Sequence, residues 1–142
     1  MSLDAEKFPN ASHGCSNRSP KSRFYNCIAF AVGDTTRNWW PGNIMAYWPK
    51  DVPTKETVNS FLKLYQSLGY KNCKDGSHED GFEKVVIYAL NNKVKHAARQ
   101  LPNGNWVSKL GQNVDIEHET VKDLEGPCYG EAVRYLKRPI SR

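Results

Sequence analysis

The feature that most limits the fold of this chain is a series of three strand-like segments with only short turns between them. The first, Glu83–Leu90, is rich in β-branched residues and is typical of a buried strand. A turn at Asn91–Lys93 separates it from the second segment, Val94–Leu101. An Asn-Gly pair, the strongest short signal for a β-hairpin, then precedes the third segment, Trp106–Leu110. These segments predict an antiparallel meander.

The hairpin signal also predicts a register. If the Asn-Gly pair forms a two-residue loop, Leu101 lies opposite Trp106 and His96 lies opposite Gly111. After a break and a short helical turn, a further strand at Gly130–Arg138 completes the sheet. We therefore expect four antiparallel strands in the second half of the chain.

Two helices are expected before the sheet. The uncharged run FYNCIAFAVG carries Asn26, a good N-cap, so that Cys27 becomes the first helical residue and Gly33 ends the helix. A second segment, Thr54–Leu68, has apolar residues at helical spacing and ends at Gly69. The sequence predicts an α+β fold in which both helices pack on the four-stranded antiparallel sheet.

Length and charge limit the function. A chain of 142 residues fits a single domain, with an irregular arm at residues 1–23 and a core at 24–138. The net charge of +5 is spread along the chain without a run of basic residues, so we expect no nucleic-acid partner. No stretch approaches the ~20 apolar residues that span a bilayer. We expect a soluble, cytoplasmic protein without a membrane partner.

The cysteine and histidine spacing argues against a metal site. The four cysteines form no CxxC pair, and the four histidines are scattered along the chain. A reducing compartment favours free thiols. We expect no metal and no cofactor, although a zinc-stabilised structural protein remains an alternative.

The start of the first helix is the most reactive place for a cysteine. Backbone N–H groups and the helix dipole favour the thiolate of Cys27, with Asn26 as a neighbouring donor to an oxyanion. His96, in the middle of a rigid strand, is the candidate base. Asp115 is the preferred residue to orient the imidazole, and the alternatives are Asn113, Glu117 and His118. The alternative to catalysis is an inert core cysteine and a core histidine.

An aromatic loop follows the first helix. Trp39, Trp40, Tyr47 and Trp48 lie there among prolines and a glycine. The rings either cover the edge of the core or line a substrate cleft, and both roles are compatible. If they are exposed, they favour a second function, a non-catalytic module that binds a peptide or a sugar.

Several motifs resemble those of known proteins. The patterns YNCIAFAxGD, GFEKVxIYA, HAARQLPNGxWxSKLG and DIEH, which span roughly 24–138, resemble a small uncharacterised bacterial family. More broadly, the order of Cys27 and His96 resembles that of NlpC-like and papain-like cysteine hydrolases. That resemblance implies a papain-like fold, Cys27 as nucleophile, His96 as base, and hydrolysis or acyl transfer at an amide or related acyl bond. The substrate would be a peptide or another amide-containing molecule.

Overall fold

One extended antiparallel sheet dominates the computed structural model, which describes residues 8–9, 16–19, 25–110 and 115–140. Within these residues the chain forms seven strands, two α-helices and one short 3-10 helix. The strands are β1 (Ser16–Ser19), β2 (Lys71–Cys73), β3 (Phe82–Leu90), β4 (Lys93–Gln100), β5 (Trp106–Lys109), β6 (Asp115–His118) and β7 (Glu131–Pro139). The helices are α1 (Cys27–Ala31), α2 (Val58–Ser67) and the 3-10 helix (Val121–Leu124).

The strands lie in the order β1-β6-β5-β4-β3-β7-β2, and all neighbours are antiparallel. The predicted four-stranded, papain-like sheet under N-terminal helices is therefore wrong. Strands β1, β2 and β6 have only three or four residues each, and their sequences SNRS, KNC and DIEH lack an apolar alternation. Hydrogen bonds to neighbouring strands keep these segments extended, and their own residues carry no sequence pattern that predicts a strand. Part of the expected N-terminal arm is thus a strand.

Both faces of the sheet are covered. On the helix face, Val85, Ile87 and Ala97 pack with α1 and α2 in the larger core cluster. On the second face, Tyr88 and Ala98 belong to a smaller cluster that also holds side chains from outside the sheet: Phe8, Leu124 and Tyr129. Because successive side chains of a strand point to opposite faces, strands β3, β4, β5 and β7 contribute to both cores.

The register of the central hairpin differs from the prediction by one residue. Gln100, not Leu101, lies opposite Trp106, and Arg99 lies opposite Val107. The Asn-Gly pair lies within a longer turn, because Leu101 bonds through its N–H to the carbonyl of Asn105. A slip of one residue exchanges the two faces of a strand relative to its neighbour. This shift decides which side chains meet around Cys27.

The two helices begin and end at residues with clear caps. The Asn26 side chain accepts a hydrogen bond from the N–H of Ala29, which confirms Asn26 as the N-cap of α1. Helix α2 is shorter than predicted, because Thr57 rather than Thr54 caps it, and it ends before Gly69, where φ is 95°. Among the described residues, neither helix has the length or apolar character needed to cross a membrane.

Candidate functional site

Cys27 lies at the start of α1, where the helix meets the sheet. Cys27 is 7% exposed, and its thiol faces the backbone of β4 at Ala97. Burial raises the pKa of the thiol to about 11, although backbone N–H groups of Ala97 and Ile28 and the charge of Lys109 act in the opposite direction. At neutral pH the resting form is the thiol, so catalysis would require a group that removes its proton.

Lys109 is the cationic residue beside the thiol. Lys109 follows Ser108 on β5 and points to the opposite side of the sheet, which is the helix face. There its side chain is fully buried, and its ammonium is 5.1 Å from the centre of the Tyr25 ring. Burial lowers the pKa of Lys109, while the negative charges of Asp115 and of a Cys27 thiolate raise it. A thiol with a raised pKa and an amine with a lowered pKa therefore lie together.

Asp115 completes this group but does not reach His96. It lies directly opposite Lys109 in the β5–β6 pair, and the Tyr25 hydroxyl donates a hydrogen bond of 2.9 Å to its Oδ2. The carboxylate is 4% exposed. Asp115 was expected to orient an imidazole, but on this face its neighbours are a phenol and an ammonium. Asn113, another orienting candidate, lies outside the described residues.

His96 belongs to the second face. Its ring stacks on Tyr129 with centroids 4.1 Å apart and lies 5.3 Å from Tyr88, whereas Cys27 packs in the core of the helix face. Neither ring nitrogen has a hydrogen-bond partner among the described residues. Burial holds the pKa of His96 well below its ordinary value, and nearby His118 adds to this effect. The structure therefore does not join Cys27 and His96 as a hydrogen-bonded pair.

Asn26 supports the site instead of offering a free donor. Its Oδ1 accepts from the N–H of Ala29 and from the N–H of Trp39, and its Nδ2 donates to the Trp39 carbonyl at 2.8 Å. Both ends of the amide are used. Asn26 thus fixes the start of α1 against the aromatic loop, which positions Cys27 and leaves its amide engaged rather than aimed at an oxyanion.

The aromatic loop contacts the core. Trp39 is 6% exposed, and its indole N–H donates to Asp34. The rings of Trp40 and Trp48 meet Phe61 of α2 edge to face, with centroids 5.6 and 5.1 Å away. These contacts use ring surfaces that a binding module would present to a ligand, so they favour a packing role over a cleft lining.

The described residues contain no group of three or more potential metal ligands from His, Cys, Asp and Glu. A cleft of about 750 Å³ lies between the β3–β4 turn and the start of β7, and neither Cys27 nor His96 lines it. The group of Cys27, Lys109 and Asp115 on the helix face is thus a buried cluster of side chains and not the base of that cleft.

Comparison with known proteins identifies the family of this chain. Residues 16–137 match the model of a family described as a domain of unknown function, DUF7689, and this match covers most of the chain. The chain belongs to this family. No curated protein and no solved structure matches it. Membership in DUF7689 carries no activity with it, and the resemblance to NlpC-like and papain-like hydrolases gains no support from these comparisons.

Sequence reasoning missed Lys109 as a member of the site in this DUF7689 domain. Lysine on a strand is usually a solvent-exposed residue, so its type gave no signal. The alternation WVSK, read in the observed register, places Lys109 on the same face as Ala97 and Cys27. Sequence reasoning also missed Ser108, which forms a buried hydrogen bond of 2.8 Å with His118 on the second face.

Proposed function

We propose that the protein is a cysteine-dependent hydrolase or acyl-transferase that acts on an amide or related acyl bond, with Cys27 as the nucleophile. The observation that carries this proposal is the position of Cys27 on the helix face, within the electrostatic reach of buried Lys109 and beside backbone N–H groups. A buried ammonium and carboxylate are costly to place in a core, which argues for a use beyond packing.

Lys109 replaces His96 as the candidate base in this proposal. A lysine whose pKa is lowered by burial can lose its proton and then accept one from a thiol, which is a known way to activate a nucleophile. Asp115 sets how far the pKa falls, because its charge favours the ammonium. Tyr25 in turn holds Asp115 through the hydroxyl bond at Oδ2.

The proposed reaction has two halves. The neutral Lys109 amine takes the proton of Cys27, and the thiolate attacks the acyl carbon. The Lys109 ammonium then returns the proton to the departing amine as the carbon–nitrogen bond breaks. Water or an acceptor amine attacks the acyl thioester, its proton passes through Lys109 to the sulfur, and the acid or new amide leaves.

The substrate class in this proposal is a peptide or another amide-containing molecule. The location that we propose is the cytoplasm, because a reducing compartment keeps a catalytic thiol free. In the described part of the chain, Cys27, Cys73 and Cys128 are free thiols.

The test is to trap the acyl-enzyme. The protein is incubated with p-nitrophenyl acetate, and the acetyl group is located by mass spectrometry after acid quenching. We expect an acetyl thioester on Cys27, its loss in Cys27→Ala and in Lys109→Met, and its persistence in Cys128→Ala, which removes an exposed thiol. Acetylation confined to Cys128, or Cys27 acetylation at the same rate in Lys109→Met, would contradict the proposal.

A further inference from the structure

Three hydrogen-bond donors on the helix face lack acceptors among the described residues. They are the hydroxyl groups of Tyr65 and Tyr70 and the Nε of Arg99. Tyr65 is fully buried, and Tyr70 is 3% exposed. Nearly all buried polar groups in proteins have a partner, so a cluster of donors without acceptors points to a missing group. All three groups donate, which selects a group rich in acceptor oxygens.

These donors lie in one region between α2 and the sheet. The rings of Tyr65 and Tyr70 meet edge to face with centroids 5.7 Å apart. The charges of Arg138 and Arg99 both act on the Tyr70 phenol, whose pKa burial raises to about 12. Arg138 is already bonded to Glu83 and to a backbone carbonyl. Arg99 makes no ion pair with any described residue and supplies a free cation.

The same region adjoins Cys27. Arg99 follows Ala97 by two residues on β4 and shares its face, so the two Cα atoms are about 7 Å apart. The Arg99 guanidinium is 5.5 Å from the centre of the ring of Phe30, on α1. The charge of a Cys27 thiolate would act on the Tyr65 phenol. Nucleophile and donors therefore line one continuous buried patch.

We propose that Arg99, Tyr65 and Tyr70 bind a carboxylate of the substrate while its acyl carbon lies at Cys27. The fit is chemical: a guanidinium and two phenolic hydroxyls provide one positive charge and several donors, which match the charge and the two oxygens of a carboxylate. This substrate assignment rests on the proposed acyl chemistry of Cys27. The carboxylate site itself does not.

An opening leads toward this patch. A pocket of about 400 Å³ is lined in part by Val32, Leu68 and Arg138, and Arg138 also packs over the Tyr70 ring at 4.4 Å. Arg99 is itself only partly buried. Arg138 therefore lies between this pocket and the ring of Tyr70.

Two reagents of nearly equal shape test the proposal. Iodoacetate carries a carboxylate, whereas iodoacetamide carries a neutral amide. Rates of alkylation at Cys27 are measured for both by mass spectrometry and divided by the rates at exposed Cys128 in the same sample. Variant Arg99→Gln removes the free guanidinium, and Arg134→Gln removes an exposed arginine as a matched control.

The proposal predicts that the ratio of iodoacetate to iodoacetamide reactivity is about tenfold higher at Cys27 than at Cys128, a typical gain from one charged hydrogen bond. Arg99→Gln abolishes that preference, while Arg134→Gln changes neither rate. Equal ratios at the two cysteines, or a preference that survives Arg99→Gln, would overturn the proposal.

A second measurement separates the carboxylate site from the acyl chemistry. Protein labelled at tyrosine Cζ with ¹³C is titrated with sodium acetate, inorganic phosphate and sodium chloride, and the signals are assigned with Tyr65→Phe and Tyr70→Phe. Saturable shifts of the Tyr65 and Tyr70 signals with acetate support the carboxylate site. They do so even if Cys27 fails to react and the hydrolase proposal is wrong. Shifts with phosphate alone, or with no anion, overturn it.

Discussion

His96 should make the protein sensitive to acid. Below its ordinary pKa, a histidine in the unfolded chain binds a proton, whereas burial holds the pKa of folded His96 well below that value. The unfolded state then holds more protons, so the free energy of unfolding falls as the pH falls. The contribution of His96 is fully present above about pH 6.5 and is lost below it.

The size of the effect follows from proton linkage. One proton taken up on unfolding lowers the free energy of unfolding by at most about 1.4 kcal/mol per pH unit. The variant His96→Phe keeps an aromatic ring against Tyr129, where the two rings now lie 4.1 Å apart and parallel. It should lose this part of the pH dependence and retain the part due to His118 and the carboxylates.

The assay is urea unfolding followed by tryptophan fluorescence at several pH values between 7.5 and 4.5. Wild-type stability should fall more steeply than that of His96→Phe, by about 1.4 kcal/mol per pH unit. His78→Gln, at a partly exposed loop residue, is the control and should follow the wild type. Parallel curves for the wild type and His96→Phe would refute the assignment of His96 as a buried neutral residue.

Two further pairs of variants test the packing. Tyr88→Phe removes a 2.7 Å hydrogen bond to a backbone carbonyl and should lower the free energy of unfolding in urea by about 1–2 kcal/mol. Tyr65→Phe removes a buried hydroxyl without a described acceptor, so its effect on the free energy of unfolding should be neutral or stabilising. Equal losses in the two variants would contradict this account. Gly130→Ala would place a Cβ 2.1 Å from the Ala89 carbonyl oxygen at positive φ and should lower the free energy of unfolding by more than about 2 kcal/mol. This loss should be roughly twice that of Gly81→Ala, where φ is also positive but the space around the Cβ is open. Similar melting temperatures for the two variants would argue against the close contact.

The central strands and the start of α1 could be predicted from sequence because local residues determine them. The β-branched run of β3, the alternation of β4 and the N-cap Asn26 act within a few residues of one another. Strands such as β1 and β2 could not be predicted in this way. Their backbone bonds come from β6 and β7, which lie far away in the sequence.

The candidate site depended on one residue of register. A two-residue Asn-Gly loop would have put Lys109 on the face of His96, but the longer turn puts it on the face of Cys27. The residues in the turn predict a hairpin, but they do not determine how many residues the turn contains. The sequence named Cys27 and Asp115 as candidates, whereas their common neighbour Lys109 emerged only from the strand pairing.

The identity of the group that controls Cys27 is the central claim. The most direct measurement is the rate of Cys27 alkylation by iodoacetamide as a function of pH in the wild type, Lys109→Met, His96→Phe and Lys95→Met, the last being an exposed lysine of β4. In the wild type, the rate should rise with pH toward the raised thiol pKa of about 11. Exposed Cys128 provides the internal reference for reagent and pH.

Loss of Lys109 should raise the thiol pKa further, because the ammonium that forms when Lys109 takes the thiol proton favours the thiolate. At about pH 9, Lys109→Met should react roughly tenfold more slowly than the wild type, which corresponds to one unit of pKa. His96→Phe and Lys95→Met should match the wild type. An unchanged rate in Lys109→Met together with a slowed reaction in His96→Phe would contradict the account.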